Sequence, residues 1–364
     1  MSRYEEGASS AEIKKETQAT LSGARKVDIQ VALPNIKLGW KKKFRASLSL
    51  PVILVIVLFT LVGATKNANF LNGPTWLNIL TTASFTSIVA CFEGFVLISG
   101  GLDLSVGAVF LTGAMVSAEL SIKGYPVPVA ILGALLAGAV VGALNGGLAN
   151  YVGISPIIAT LGTLFCTTAV VTTLSKGLAI GPLSSSFSRL AGGTWGPIPT
   201  VIFYALGIAL IAHIILRYST FGMKIRAVGG NRSAVDALGL NAKRISMTVY
   251  IMTGVAAAFA GVLQCSYLGA GAPSYGSDLE LQVIAAVVIG GVSVLGAVGE
   301  VSGMVIGCIL LSLLSIGLLL LHFAGSMQDF VVGFVMVIAV SIDKIRRTFM
   351  FRVSRNDIKK AKNS

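Results

Sequence analysis

The sequence predicts an all-α fold, a polytopic membrane bundle of about ten transmembrane helices. Three observations predict it. Of 364 residues, 54% are hydrophobic and only 12% charged, about half the share of an ordinary soluble domain. Mean hydropathy is +0.84. Apolar runs of spanning length recur from residue 48 to residue 342, and the positive charge lies in three blocks between and beyond them.

Residues 1–47 read as a polar N-terminal tail with no apolar core of a cleavable signal peptide. Candidate spans follow at Leu48–Ala64, Trp76–Ser99, Val106–Leu120, Val127–Asn150 and Ser155–Leu174. Five more lie at Val201–Leu216, Ile245–Tyr267, Leu281–Val294, Val301–Leu321 and Gln328–Ile342. The third and eighth are short, as tilted or broken spans are. Residues 343–364 form a basic C-terminal tail.

Charge orders the spans. Residues 1–47, 217–245 and 342–364 hold 24 of the 28 Lys and Arg, and the net charge is +13. A basic chain can bind nucleic acid, but basic segments abutting apolar spans follow the positive-inside rule. All three then face the cytoplasm in contact with lipid headgroups, and no nucleic-acid partner is expected. An even number of spans must separate them, so eight, ten or twelve satisfy the rule.

Between the second and third spans lies Gly100-Gly101-Leu102-Asp103-Leu104-Ser105-Val106-Gly107. An acid beside a span needs water, a partner or a helix terminus. The stretch is either a broken element lining a route through the bundle or a turn at the cytoplasmic end of the second span. The topology favours the turn, with Asp103 or Ser105 capping the next helix. Glu93 lies ten residues earlier, about 15 Å along a regular helix, too far to share a proton with Asp103. It is expected to face the bundle interior, lining the path or bonding Asn145 or Asn150.

Gly138, Gly142 and Gly146, and again Gly299, Gly303 and Gly307, repeat every fourth residue and make smooth faces for close helix packing. Cys91, Cys166, Cys265 and Cys308 fall in apolar runs, match no metal or redox spacing and read as small buried hydrophobes. The external loop 175–200 is long for a bundle connection; it either receives a partner or is solvated.

The cytoplasmic segment 219–245 carries Gly229-Gly230, a capping box Ser233–Asp236, and Gly239 where a C′ glycine ends a helix. A short helix Ala234–Leu238, with Val235 and Leu238 exposed, is expected there. It is either a docking helix for a cytoplasmic subunit or a connector on the membrane surface. No phosphate-binding loop GxxxxGK[ST], no HExxH and no nucleophile–base set occurs. No catalytic residue, metal ligand or cofactor is therefore expected, and the chain reads as no enzyme by itself.

Several motifs in order carry a resemblance across residues 45–345. They are Gly101-Leu102-Asp103-Leu104-Ser105-Val106-Gly107, Gly142-Ala143-Leu144-Asn145-Gly146, and Pro156-Ile157-Ile158-Ala159-Thr160-Leu161-Gly162-Thr163. Ala227-Val228-Gly229-Gly230-Asn231 with Ala234 and Gly239-Leu240 follows, then Ala285-Ala286-Val287-Val288-Ile289-Gly290-Gly291-Val292-Ser293. The chain resembles the permease subunit of bacterial ABC importers for ribose, xylose, galactose and related sugars. It departs from the pattern at Glu93, at Ile157, at Ala297 in place of a glycine, and in its longer N-terminal tail.

The resemblance implies two related helical halves, a second permease subunit, a cytoplasmic ATP-binding subunit and an external solute-binding protein. It makes Asn231–Leu240 the coupling helix, with Gly229, Gly230, Asn231, Ser233, Ala234, Asp236, Leu238 and Gly239 as the coupling residues. Glu93, Asp103, Ser105, Asn145 and Thr160 are the path or gate candidates. The expected function is ATP-driven import of a monosaccharide or similar polar solute across the bacterial inner or plasma membrane. Rival readings are the same machine for a nucleoside, a signal-sugar derivative or a branched-chain amino acid, and an ion-coupled carrier using Glu93 and Asp103.

Overall fold

The computed structural model describes residues 49–327 and scattered positions from 330 to 341. The expected tails 1–47 and 343–364 lie outside the described residues, as does most of the tenth expected span. Twelve α-helices are described: α1 Ser49–Ala64, α2 Gly73–Ile98, α3 Val106–Ile122, α4 Val127–Gly147, α5 Pro156–Leu174 and α6 Ser185–Gly192. They continue with α7 Thr200–Tyr218, α8 Thr220–Gly230, α9 Arg232–Ala237, α10 Ala242–Leu268, α11 Leu279–Ile289 and α12 Val301–Leu320. Six of these are long and apolar enough to cross a membrane, and α1, α3 and α11 are shorter apolar helices. The protein is a multi-pass helical membrane bundle.

α2 and α10 form its axis. α10 packs on α4, α3 and α2, while α2 also packs on α12, α7 and α11. α4 shows how the sequence sorts helix faces. Ala130, Ala134, Gly138, Gly142 and Gly146 are buried, whereas Leu132, Leu136, Val140 and Leu144 are exposed. The small face lies against α10 so closely that a Cβ on Gly138 would strike the Gly254 carbonyl, and one on Gly142 the Tyr250 carbonyl. Gly303 meets Gly290, just past the end of α11, and Gly307 meets Ala286 of α11 in the same way. In lipid, where the hydrophobic effect gives helices no reason to associate, such backbone approach is what holds them.

Three expectations change here. α11 ends at Ile289 rather than Val294, because Gly290 starts a turn in which Gly291 takes φ +94°. Cys166 is exposed, while the other three cysteines are buried. The 175–200 loop, expected either to receive a partner or to be solvated, has packed structure of its own. It contains α6, capped by Ser184, and a two-residue hairpin pairing β1 Thr194–Trp195 with β2 Ile198–Pro199. Phe187 and Ala191 of α6 are buried, and Ser266 of α10 bonds the Phe187 carbonyl at 2.7 Å.

Candidate functional site

Arg217, Lys224, Arg226, Arg232, Lys243 and Arg244 mark one end of the bundle as basic. Two structures meet there: a buried polar knot and the segment from α8 to α10.

The knot is built on the turn between α2 and α3. Gly100, at φ +83°, reverses the chain. The reversal carries Asp103 back beside α2, where its backbone N–H donates to Glu93 Oε1 at 3.2 Å. The rise of a straight helix thus gives the wrong separation for these residues. Asp103 Oδ1 accepts from the Ser105 amide at 2.8 Å and the Ser105 hydroxyl at 2.6 Å. It closes the turn before α3; Ser105 is the N-cap residue, but its side chain accepts no cap bond. Asn145 of α4 donates to Ser105 Oγ at 2.6 Å and accepts from Thr163 of α5 at 2.6 Å. Tyr250 of α10 bonds the Leu102 backbone, and Thr253 bonds the Phe92 carbonyl at 3.0 Å.

Five helices therefore tie into one polar centre. Glu93, Asp103, Ser105, Asn145 and Thr160 are all buried. Glu93 faces the interior as expected, but its partner is Asp103, neither Asn145 nor Asn150; its Oε2 has no partner among the described residues. Thr160 lies on α5 beside the knot and returns its hydroxyl to the Pro156 carbonyl at 2.8 Å.

The second structure is α9. It runs from Arg232 to Ala237, earlier than the expected Ala234–Leu238. The capping residue is Asn231, whose side chain accepts from the Ala234 amide at 3.0 Å. Asn231 holds the extended backbone that an N-cap needs, so the Ser233–Asp236 box does not form. Asp236 instead accepts from the Ala242 amide at 2.9 Å and pins α9 to the start of α10. The C-terminus closes as expected. Gly239 takes φ +78°, its amide reaches the Asp236 carbonyl, and the Leu240 amide reaches Val235. Val235 is buried rather than exposed; Leu238 is 79% exposed.

Gly229 and Gly230, at the end of α8, differ sharply. A Cβ on Gly229 would collide with the Ile98 carbonyl and lie 2.8 Å from the Ala297 amide. Those two groups hydrogen-bond each other at 2.8 Å. Gly230 has only the Ala297 side chain near, at 3.8 Å. Gly229 is thus the seat on which α8, the end of α2 and the turn before α12 meet backbone to backbone. Arg226 reinforces it by donating to the Gly299 carbonyl at 2.9 Å. Partial burial lowers the Arg226 pKa from its ordinary value, with Glu300 acting against that shift. Arg232 donates to Asn150 Oδ1 at 2.7 Å and so joins α9 to the end of α4.

Residues 75–340 match the family model described as branched-chain amino acid transport system / permease component. The D-allose transport system permease protein AlsC of Escherichia coli (strain K12) is 30% identical over 293 residues, covering 80% of this chain and 90% of that protein. The ribose import permease protein RbsC of the same strain is 31% identical, covering 84% and 94%. The autoinducer 2 import system permease protein LsrC of Photorhabdus luminescens is 30% identical, covering 84% and 92%. With the family model matched over most of the chain and such relatives aligned nearly end to end, the chain belongs to the permease-component family of ABC importers.

Proposed function

We propose that the protein is the transmembrane permease subunit of an ATP-driven, binding-protein-dependent importer for a monosaccharide or similar small polar solute. It is not catalytic on its own; ATP is hydrolysed by a separate subunit. The observation that carries the reading is α9, capped at both ends, presenting Leu238 outward at the basic end and joined through Gly229 to the end of α2. A helix this short does not hold itself in water and has its use in contact.

The positive-inside rule puts the basic end, with the tails 1–47 and 343–364, in the cytoplasm of a bacterial inner or plasma membrane. The bundle 48–342 then makes ten crossings in two related halves and pairs with a second permease subunit. The ATP-binding subunit takes Gly229 to Gly239 on one side, and a solute-binding protein delivers cargo on the other. The knot of Glu93, Asp103, Ser105 and Asn145, with Thr160 beside it, acts as the anchor of the inner gate. A signal-sugar derivative is the second reading, because one relative is named for autoinducer 2 import.

The test is uptake by vesicles holding the permease, its ATPase and the binding protein. ATP-dependent uptake of a labelled sugar, abolished without binding protein, is the expected result. Uptake that ignores ATP and follows an ion gradient would make the protein a secondary carrier.

A further inference from the structure

A cavity of about 370 Å³ lies between α2, α10 and α11 towards the end opposite the basic one. That is the volume class of small-molecule sites. Asn78, Thr82 and Thr86 line it from α2, Gln264 from α10 and Gln282 from α11. Asn78, Thr82 and Thr86 recur every fourth position and so share one face.

Their neighbours on that helix behave differently. Thr81, which also lines the cavity, and Ser84 return their hydroxyls to carbonyls of their own helix, each at 2.7 Å. The side chains of Asn78, Thr82, Thr86, Gln264 and Gln282 bond no other described residue. Asn78, Thr82 and Gln282 are exposed. An amide turned to lipid without a partner costs several kcal/mol, so these groups meet water, solute or the second permease subunit.

The cavity leads on, sharing Thr82, Thr86 and Gln282, to a small recess that ends at Ser312 and Ser315 of α12. Below Thr86 the buried run Ser87–Ala90 closes the way. Among the described residues no charged one lines either space; Asp278 and Glu280 line a neighbouring cavity that adjoins this one at Tyr275, Gly276 and Ser277. Aromatic walls are present, with Phe85 and Tyr267 edge to face at 5.7 Å.

We infer that this cavity is a waypoint for the solute and that its charge-free lining selects an uncharged, polyhydroxylated solute over a zwitterion. Amides and hydroxyls exchange hydrogen bonds with neutral hydroxyl groups, and the aromatic faces take the apolar side of a sugar ring. A free amino acid would leave an ammonium and a carboxylate without counter-charges. The inference rests on the proposed importer function and narrows its cargo.

The experiment uses the full complex in vesicles, with ribose, galactose and leucine as probes. Gln282→Leu and Thr86→Val are expected to raise the apparent KM for the sugar about two- to tenfold each, the worth of one hydrogen bond. ATPase assembly and binding-protein-stimulated hydrolysis stay at wild-type level, which a folding defect would not allow. Should Gln282→Leu fail to assemble, Gln282→Asn replaces it in the comparison with Thr86→Val. Thr82→Cys, made in a Cys166→Ser background, is expected to react with a charged, water-soluble thiol reagent, and more slowly during sugar transport. Unchanged KM values, an unreactive introduced thiol, or leucine uptake equal to sugar uptake would overturn the inference while the importer function stands. A wild-type complex that moves no sugar on ATP would instead defeat the importer function itself.

Discussion

Gly229→Ala should damage coupling, and Gly230→Ala beside it should not. Neither glycine has a positive φ, so alanine is permitted by the backbone at both. At Gly229 the added methyl meets the Ile98 carbonyl and the Ala297 amide, which are already bonded to each other. Overpacking costs about 1–3 kcal/mol and loss of the displaced hydrogen bond about 1 kcal/mol more. Even 2 kcal/mol shifts a two-state balance about thirtyfold. At Gly230 the nearest atom lies 3.8 Å away, an ordinary contact. Replacing a helical glycine there is neutral or slightly stabilising. The assay is labelled solute imported per ATP hydrolysed in reconstituted vesicles, with ATPase co-purification as the check on assembly. Gly229→Ala should hydrolyse ATP and import little; Gly230→Ala should match wild type. Equal ratios in the two variants would refute Gly229 as the seat of coupling.

Other outcomes follow from the same contacts. Glu93→Gln keeps an acceptor for the Asp103 amide and should transport, whereas Glu93→Leu orphans that buried amide at a cost of about 1–3 kcal/mol and should lower the melting temperature. Normal melting of Glu93→Leu would show the bond to be idle. Asn231→Ala removes the cap of α9 and should cost about 1 kcal/mol, read as faster amide exchange confined to 231–240. Leu238→Asp changes an exposed side chain, so thermal stability should hold while ATPase co-purification falls. Retained co-purification would remove α9 from the docking surface.

Helix existence and order were legible because a span must be apolar along its whole length, and α1 to α5, α7 and α10 to α12 fall where the hydropathy puts them. What hydropathy does not see is a turn made of apolar residues. Val292, Val294 and Leu295 continue the greasy run past α11, yet the glycines before them have already turned the chain. Asn231 and Ser233 are both good caps, and only backbone conformation chooses between them. α6 hides in a polar loop because eight residues with two buried contacts leave little pattern. The Glu93–Asp103 contact was hidden by reasoning along a straight helix across a glycine that ends it. The Asn78, Thr82, Thr86 stripe was readable from its spacing alone, as polar residues repeating on one face of an apolar helix.

The polar residues of the spans divide by whether the protein itself satisfies them. Asp103, Ser105 and Asn145 spend their hydrogen bonds on one another, leaving little for a passing solute, and this suits an anchor. Asn78, Thr82, Thr86 and Gln282 spend none on described residues, and this suits a path. Both sets sit on or against α2. From Thr86 at the floor of the cavity to Ile98 at the Gly229 seat is about 18 Å of one buried helix. Close-packed helices move as bodies rather than deform, so a push on α8 that reaches Ile98 must be felt at Thr86 unless α2 bends between them. The knot at Glu93 and Asp103 lies between those points and braces α2 against such bending. On the importer reading, Glu93→Leu should therefore lower the solute imported per ATP even where the complex still assembles, because the knot's function is to keep the two ends of α2 in step.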